Sequence, residues 1–333
     1  MGLTDLAIAD SVKRALLTAV KNHTLPHVYL FLGPEGVGKR ATALALAKAL
    51  HCLSREGDAC DHCSVCLRID RSLHPDVHLV EPQGQAIKID QVRQLRQLLM
   101  LHGYESPRKV AILDDAGKLT PEAANALLKI LEEPPALTVF ILVCQNLAEL
   151  PATVLSRAQV LRFGLLSRAH LVALLRQRGC SVDDAELAAC LSRGRPGKAL
   201  SLEVSKVLQM RADALHLFTK AAAGDHAALL ASAEQWAKRK SDHDLLFEML
   251  LSLVRDLAVV RAGGSAATLV HADIRADLAP LMASLPSIGI WEVFEMIHTT
   301  QQALAHNANP QLALEVMLLK LGDAYERGRY SPA

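Results

Sequence analysis

At 333 residues the chain has room for roughly two or three domains. Half of it (51%) is hydrophobic but only 4% is aromatic, and alanine and leucine dominate, which favours helical layers over β-sandwiches. A formal net charge of +1 excludes a strongly basic, free-standing nucleic-acid binder, so any DNA contact would be local or shared with partners.

Taken in order, Thr4 can cap a first helix in which Ile8, Val12, Leu16 and Val20 make one apolar stripe, ended by Pro26. An apolar run over residues 27–32 leads into Gly33-Pro34-Glu35-Gly36-Val37-Gly38-Lys39-Arg40, and residues 41–50 read as helix. Strand, glycine-rich turn and helix is the setting of a phosphate-binding loop. Backbone N–H groups curl round the anion, the helix N-terminus adds positive potential, and Lys39 reaches the outer phosphates. Where a Ser or Thr hydroxyl would hold magnesium, this chain has Arg40. The loop is therefore built for phosphate but lacks a residue used to hydrolyse it. A tight turn that merely resembles the motif is the bland alternative.

Cys52, Cys60, Cys63 and Cys66 follow with the spacing C-x7-C-x2-C-x2-C. That spacing suits a closed tetrahedral thiolate site for structural Zn²⁺, with Cys52 leaving the preceding helix as fourth ligand. Free buried cysteines, or an iron–sulfur cluster, are the alternatives. Seven cysteines, an odd number with four clustered, point to a metal site rather than a disulfide framework. His62 is expected at the surface and not as a ligand, and Cys144, Cys180 and Cys190 are expected in the core.

Residues 76–80 read as a second strand and 90–101 as a helix, with Val92, Leu95 and Leu99 inward and Arg93, Arg96 and Gln97 outward. Arg93 and Arg96 either touch DNA phosphates or form a solvated face. Lys109 to Asp115 is a buried strand ending in two carboxylates, Asp114 and Asp115, where a Walker-B pair would polarise Mg²⁺ and the attacking water. Asp115 is one methylene shorter than the usual glutamate base. Thr120-Pro121-Glu122 starts a helix with a cap, a first-position proline and a first-turn acid, and Pro134-Pro135 ends it. Residues 139–144 and 159–163 complete the strands. Strands alternating with helices predict a parallel, doubly wound sheet with ligands at the strands' C-terminal ends. Arg157, between the last two strands, reads either as a surface turn residue or as an arginine finger aimed at a neighbouring subunit's nucleotide.

After Leu166 the strand signals cease. Residues 167–178, 183–192 and a long stretch from Gly197 read as helices, and from about residue 208 there is helical periodicity only, including 245–260 and 310–325. Breaks fall at 263–265 and 284–287. No apolar run approaches the roughly 18 residues of a membrane span, and residues 1–10 do not read as a signal peptide, so a soluble cytoplasmic protein is expected.

At the level of motifs the chain resembles the clamp-loader subunits of the AAA+ class, and most closely the delta-prime branch of the bacterial DNA polymerase III loader. The carriers are residues 27–39, the four-cysteine insertion, Asn125 to Lys129 running into Glu132-Glu133-Pro134-Pro135, Leu155-Ser156-Arg157, and residues 309–315. The resemblance implies an AAA+ nucleotide-fold domain over 1–165 with a zinc insertion at 52–66, a three-helix lid over 166–207 and a helical collar over 208–333. It implies a stator that does not hydrolyse ATP, works in a ring with motor (gamma/tau) and delta subunits, and helps place a sliding clamp on primed DNA. Arg157 would act in trans on a motor subunit. ATP or ADP would lie against Gly33, Gly36, Gly38, Lys39, Arg40, Asp114, Asp115 and, from the lid, Lys198, with Mg²⁺ disfavoured by Arg40. The family's Ser-Arg-Cys is here Ser156-Arg157-Ala158, and its first-sensor threonine is missing near Cys144-Gln145-Asn146. Two rivals are an ATP-hydrolysing motor subunit of the same loader and an unrelated P-loop transferase.

Overall fold

Continuous apolar runs, rather than alternating ones, are what a strand needs when both its faces are covered. Three such runs and two more polar edge strands form one parallel sheet: β1 (Val28–Leu32), β2 (Val77–Val80), β3 (Lys109–Leu113), β4 (Thr138–Cys144) and β5 (Gln159–Arg162), in the order β2-β3-β4-β1-β5. The computed structural model describes residues 1–330 except 102, 107, 266, 267, 287 and 288. β5 is an edge strand and mostly exposed, which accounts for its polar composition.

Alternation along the strands divides the core in two. Tyr29, Phe31, Val110, Ile112, Ile141 and Val143 face α1 (Asp10–Lys21) and α2 (Lys39–His51). Leu30, Ala111, Leu113, Phe140 and Leu142 face the helices that carry Val92 and Leu127. Those helices are α4 (Ile89–Met100) and α5 (Pro121–Glu132), and α3 (Ser64–Asp70) and the short α6 (Ala152–Leu155) complete the elements around the sheet. This is the doubly wound sheet expected of an AAA+ nucleotide-fold domain. Three further helices, α7 (Arg168–Gln177), α8 (Val182–Ser192) and α9 (Pro196–Ser201), belong to the same compact unit, Met1–Ser201.

The second unit, Leu202–Ala333, is helical: α10 (Val204–Ala223), α11 (His226–Ala237), α12 (His243–Arg261), α13 (Arg275–Ala283), α14 (Gly289–Ala305) and α15 (Pro310–Tyr330). Phe218, Phe247 and Tyr325 are among its fully buried side chains. Asp256 on α12 is also fully buried and accepts the backbone N–H groups of Val270 (3.0 Å) and His271 (2.7 Å), which fixes the connection to α13.

Several expectations need correction. Thr4 does not cap a helix: it lies in a 3-10 turn, its hydroxyl donates to Asp58 Oδ2 at 2.7 Å, and α1 starts only at Asp10. The helix expected from Gly197 is interrupted at Leu202 and Glu203, where α9 and α10 meet. Cys180 lies in the turn after α7 and is half-buried, as is Cys190, so only Cys144 of those three is a core residue. Part of the break expected over 284–287 lies outside the described residues.

The start of α5 is as expected, with Thr120 Oγ1 accepting from Ala123 N at 3.2 Å ahead of Pro121. Thr120→Ala removes this partner and is expected to lower the stability of the first unit by about 1 kcal/mol in urea unfolding, with the helical signal retained.

Candidate functional site

The loop after β1 turns on glycines that nothing else could replace at two points. Gly33 has φ +155°, and a Cβ there would lie 2.3 Å from the carbonyl oxygen of Phe163, so the loop passes hard against the chain leaving β5. Gly38, at φ +95°, sits immediately before α2. Lys39 is buried and its ammonium donates to the carbonyls of Gly33 and Pro34, at 2.7 Å for Pro34. Burial pulls the Lys39 pKa below its ordinary value, against the nearby carboxylates of Asp114 and Asp115. Gly36 O accepts the backbone N–H of Gly197 at 2.8 Å, which seats α9, with Lys198 beside it, directly on the loop.

Asp114 and Asp115 follow β3, and Glu81 follows its neighbour β2; Val80 pairs in register with Leu113, so Glu81 and Asp114 emerge side by side. Arg40, in the first turn of α2, reaches across to both. Its Nη1 donates to Glu81 Oε1 and to Asp114 Oδ2, the latter at 3.3 Å. Asp115 turns away in the left-handed region (φ +49°) and pairs with Lys118 at 2.9 Å. Burial holds the Asp114 carboxyl above the usual range, with Arg40 opposing the rise and Asp115 adding to it. This set does not fit Mg²⁺. A guanidinium offers donors and no acceptor, and it stands on the carboxylate that would coordinate the ion.

At the end of β4, in the stretch where the first-sensor threonine is missing, the buried thiol of Cys144 donates to Asn146 O (3.0 Å) and Glu149 Oε2 (3.1 Å). Burial first, and then Glu149, pushes that thiol up to about 11, so it is a neutral donor. Arg157 follows α6 at the surface, 36% exposed, with one nitrogen on Thr153 O (2.9 Å) and another on Glu132 Oε1 at 3.0 Å. The first of these nitrogens also reaches Ser156 Oγ at 3.4 Å. Arg93 and Arg96 are exposed on α4, Arg93 beside Asp90 at 3.5 Å.

The four cysteines of the insertion do converge. All four sulfurs lie within 4.8 Å of one another, and Cys60 Sγ is 4.0 Å from Cys66 Sγ. Four sulfurs about 2.3 Å from one tetrahedral ion would stand about 3.8 Å apart. Backbone N–H groups of Cys63 and Cys66 point at the sulfurs of Cys60 (3.3 Å) and Cys63 (3.4 Å). Burial opposes ionisation of Cys60, but N–H groups from His62 and Cys63 bring its thiol down to about 6. The donor set therefore fits a thiolate-bound metal, and His62 is exposed, with Nδ1 2.7 Å from Cys60 O and outside the cluster.

Sequence reasoning missed the residues that anchor this module. Asp58 accepts from Leu3 N (2.6 Å) and Ala59 N (2.8 Å), and the buried Lys48 of α2 pairs with Asp61 and with Asp70 (3.0 Å). It also missed Glu81 and Glu132 as partners of the two arginines. A usable signal existed only for Glu81, which follows its strand as Asp114 follows β3.

The family model described as DNA polymerase III, delta subunit, matches residues 8–167, and that described as DNA polymerase III, delta subunit, C terminal, matches residues 205–323. The DNA polymerase III subunit delta' of Bacillus subtilis is 29% identical over 316 residues, covering 93% of this chain and 95% of that protein. The subunit gamma/tau of Mycoplasma pneumoniae is 36% identical over 156 residues, 47% of this chain but only 23% of that protein. Among solved structures, a DNA polymerase III gamma subunit-related protein from Thermotoga maritima superposes with a TM-score of 0.52 at 18% identity, over 93% of this chain and 99% of that one, a likeness of fold. Matched in both of its units, the chain belongs to the DNA polymerase III delta-subunit family, and a delta' subunit is similar to it over nearly the full length of both chains.

Proposed function

We propose that this chain is the delta' stator of a DNA polymerase III clamp loader: it assembles with gamma/tau motor and delta subunits and performs no ATP hydrolysis of its own. The loader as a whole would use ATP to place a sliding clamp on primed DNA. The carrying observation is the pairing of Arg40 with Asp114 and Glu81. The carboxylate that a motor uses to hold magnesium is occupied here by a side chain, and Asp115 is taken up by Lys118. With Cys144 where a polar sensor would stand, three positions of a hydrolytic site are spent on internal contacts. What the chain can give is Arg157. Its ion pair with Glu132 is a surface one, and such pairs contribute roughly 0–1 kcal/mol, so the guanidinium can be transferred to a neighbour's phosphates at little cost.

Asymmetry between the two candidate sites tests this reading. In the reconstituted loader, Arg157→Ala is expected to lower DNA- and clamp-stimulated ATP hydrolysis by about tenfold or more, with the ring still assembled by size. Lys39→Ala in the same loader should change the rate by less than about twofold. The reverse pattern would identify a motor subunit, the reading favoured by the intact Lys39, and would sink the stator.

The cysteine module is proposed to hold one structural Zn²⁺ on Cys52, Cys60, Cys63 and Cys66. Metal analysis of the purified chain should find about one zinc and no iron, and Cys60→Ser with Cys63→Ser should abolish it. Cobalt substitution should give the intense thiolate-to-metal bands of a four-sulfur site. A brown, iron-containing protein would instead indicate a cluster.

A further inference from the structure

A P-loop fold implies a nucleotide accompanied by magnesium, and here the residues accept the first and refuse the second. In this topology the ion would stand between the first turn of α2 and the end of β3, bound by a hydroxyl from one and a carboxylate from the other. The first turn of α2 presents Arg40, and the end of β3 presents Asp114 already engaged by it at 3.3 Å. A second carboxylate, Glu81 from the adjacent strand end, receives the same guanidinium nitrogen. The third, Asp115, pairs with Lys118. Every carboxylate at these strand ends is thus matched by a side-chain cation, and a divalent ion would have to enter beside a fixed positive charge.

The anion side of the site is intact. Gly33, Gly36 and Gly38 keep the backbone of a phosphate loop, with φ of +155°, +77° and +95°. Lys39 donates to two loop carbonyls, Gly33 O and Pro34 O, whose place as acceptors a phosphate oxygen can take. Arg40 is about half exposed (49%), and its two side-chain hydrogen bonds both leave from Nη1. A guanidinium binds phosphate oxygens in a fork geometry, the same task that a magnesium ion performs by coordination.

We propose that this loop is a metal-independent nucleotide site, in which Arg40 serves as the resident cation in place of Mg²⁺ and the bound ligand is a nucleoside di- or triphosphate. This deepens the stator reading, because a nucleotide held without the ion is retained and not turned over. The site is then a structural pocket for phosphate, filled once and kept.

Binding of ATP and, separately, of ADP to the purified full chain is measured by equilibrium dialysis in excess MgCl2 and in EDTA. Wild-type affinity is expected to differ by less than about threefold between the two buffers for whichever nucleotide binds. Arg40→Thr supplies a hydroxyl and frees Asp114, and is expected to make ATP binding about tenfold or more tighter with Mg²⁺ than with EDTA. Arg40→Lys keeps a cation and should remain insensitive to the ion. Wild-type binding that weakens about tenfold in EDTA, or no binding of either nucleotide in either buffer, overturns the proposal. So does an Arg40→Thr chain, folded by circular dichroism, that gains no magnesium dependence. These measurements use the isolated chain, so they can fail while Arg157 still activates the assembled loader, and the loader assay can fail while they succeed.

Discussion

Five strands running the same way leave their C-terminal ends along one edge, and the first side chains beyond them have no choice but to meet there. In this chain those side chains are Glu81, Asp114 and the thiol end of β4, with the phosphate loop leaving β1 between them. Two carboxylates side by side on one edge, with Asp115 next to Asp114 in the chain, repel each other unless cations are supplied. An enzyme of this fold recruits an ion for that purpose. Here the first turn of α2 supplies a guanidinium, and the edge is neutralised by the polypeptide itself. Beside that exchange stand a glycine-rich loop after β1, a buried cysteine at the end of β4, and an acid next to the sheet that turns into the left-handed region.

The two arginines illustrate how the same side chain serves opposite ends. Arg40 sits between two carboxylates, one of them largely buried, and its removal would leave like charges facing each other. Arg157 is tied to a single exposed glutamate and to a carbonyl of its own turn. The first is a fixture of the fold. The second is held by exposed contacts that cost little to break, which is what the role in trans proposed for it would require.

Much of this was legible in the sequence because local chemistry decided it. Strands buried on both faces announce themselves as unbroken apolar runs, Thr120-Pro121 writes the start of α5, and the spacing of four cysteines allows their sulfurs to converge. What stayed hidden was long-range. Glu81 lies 41 residues from Arg40 and becomes its partner only because β2 pairs with β3, an adjacency that no local pattern records. Thr4 has the composition of a cap but is captured by Asp58, 54 residues away, once the cysteine module folds back. The interruption at Leu202 and Glu203 carries neither glycine nor proline, and follows from the division of the chain into two compact units.

Lys48 ties these themes together. It lies near the C-terminal end of the helix whose N-terminus forms the phosphate loop, it is 2% exposed, and its carboxylate partners Asp61 and Asp70 belong to the cysteine module and its helix. Burial works against its charge, and those two partners more than offset it. An ammonium in that place without them would be a buried, uncompensated charge, among the costliest defects a core can carry. The module is therefore less an appendage than a lid on an ionic fault line. A metal on its sulfurs, as proposed, would hold Asp61 and Asp70 against Lys48, so its binding would be linked to how firmly the C-terminal end of α2 is seated.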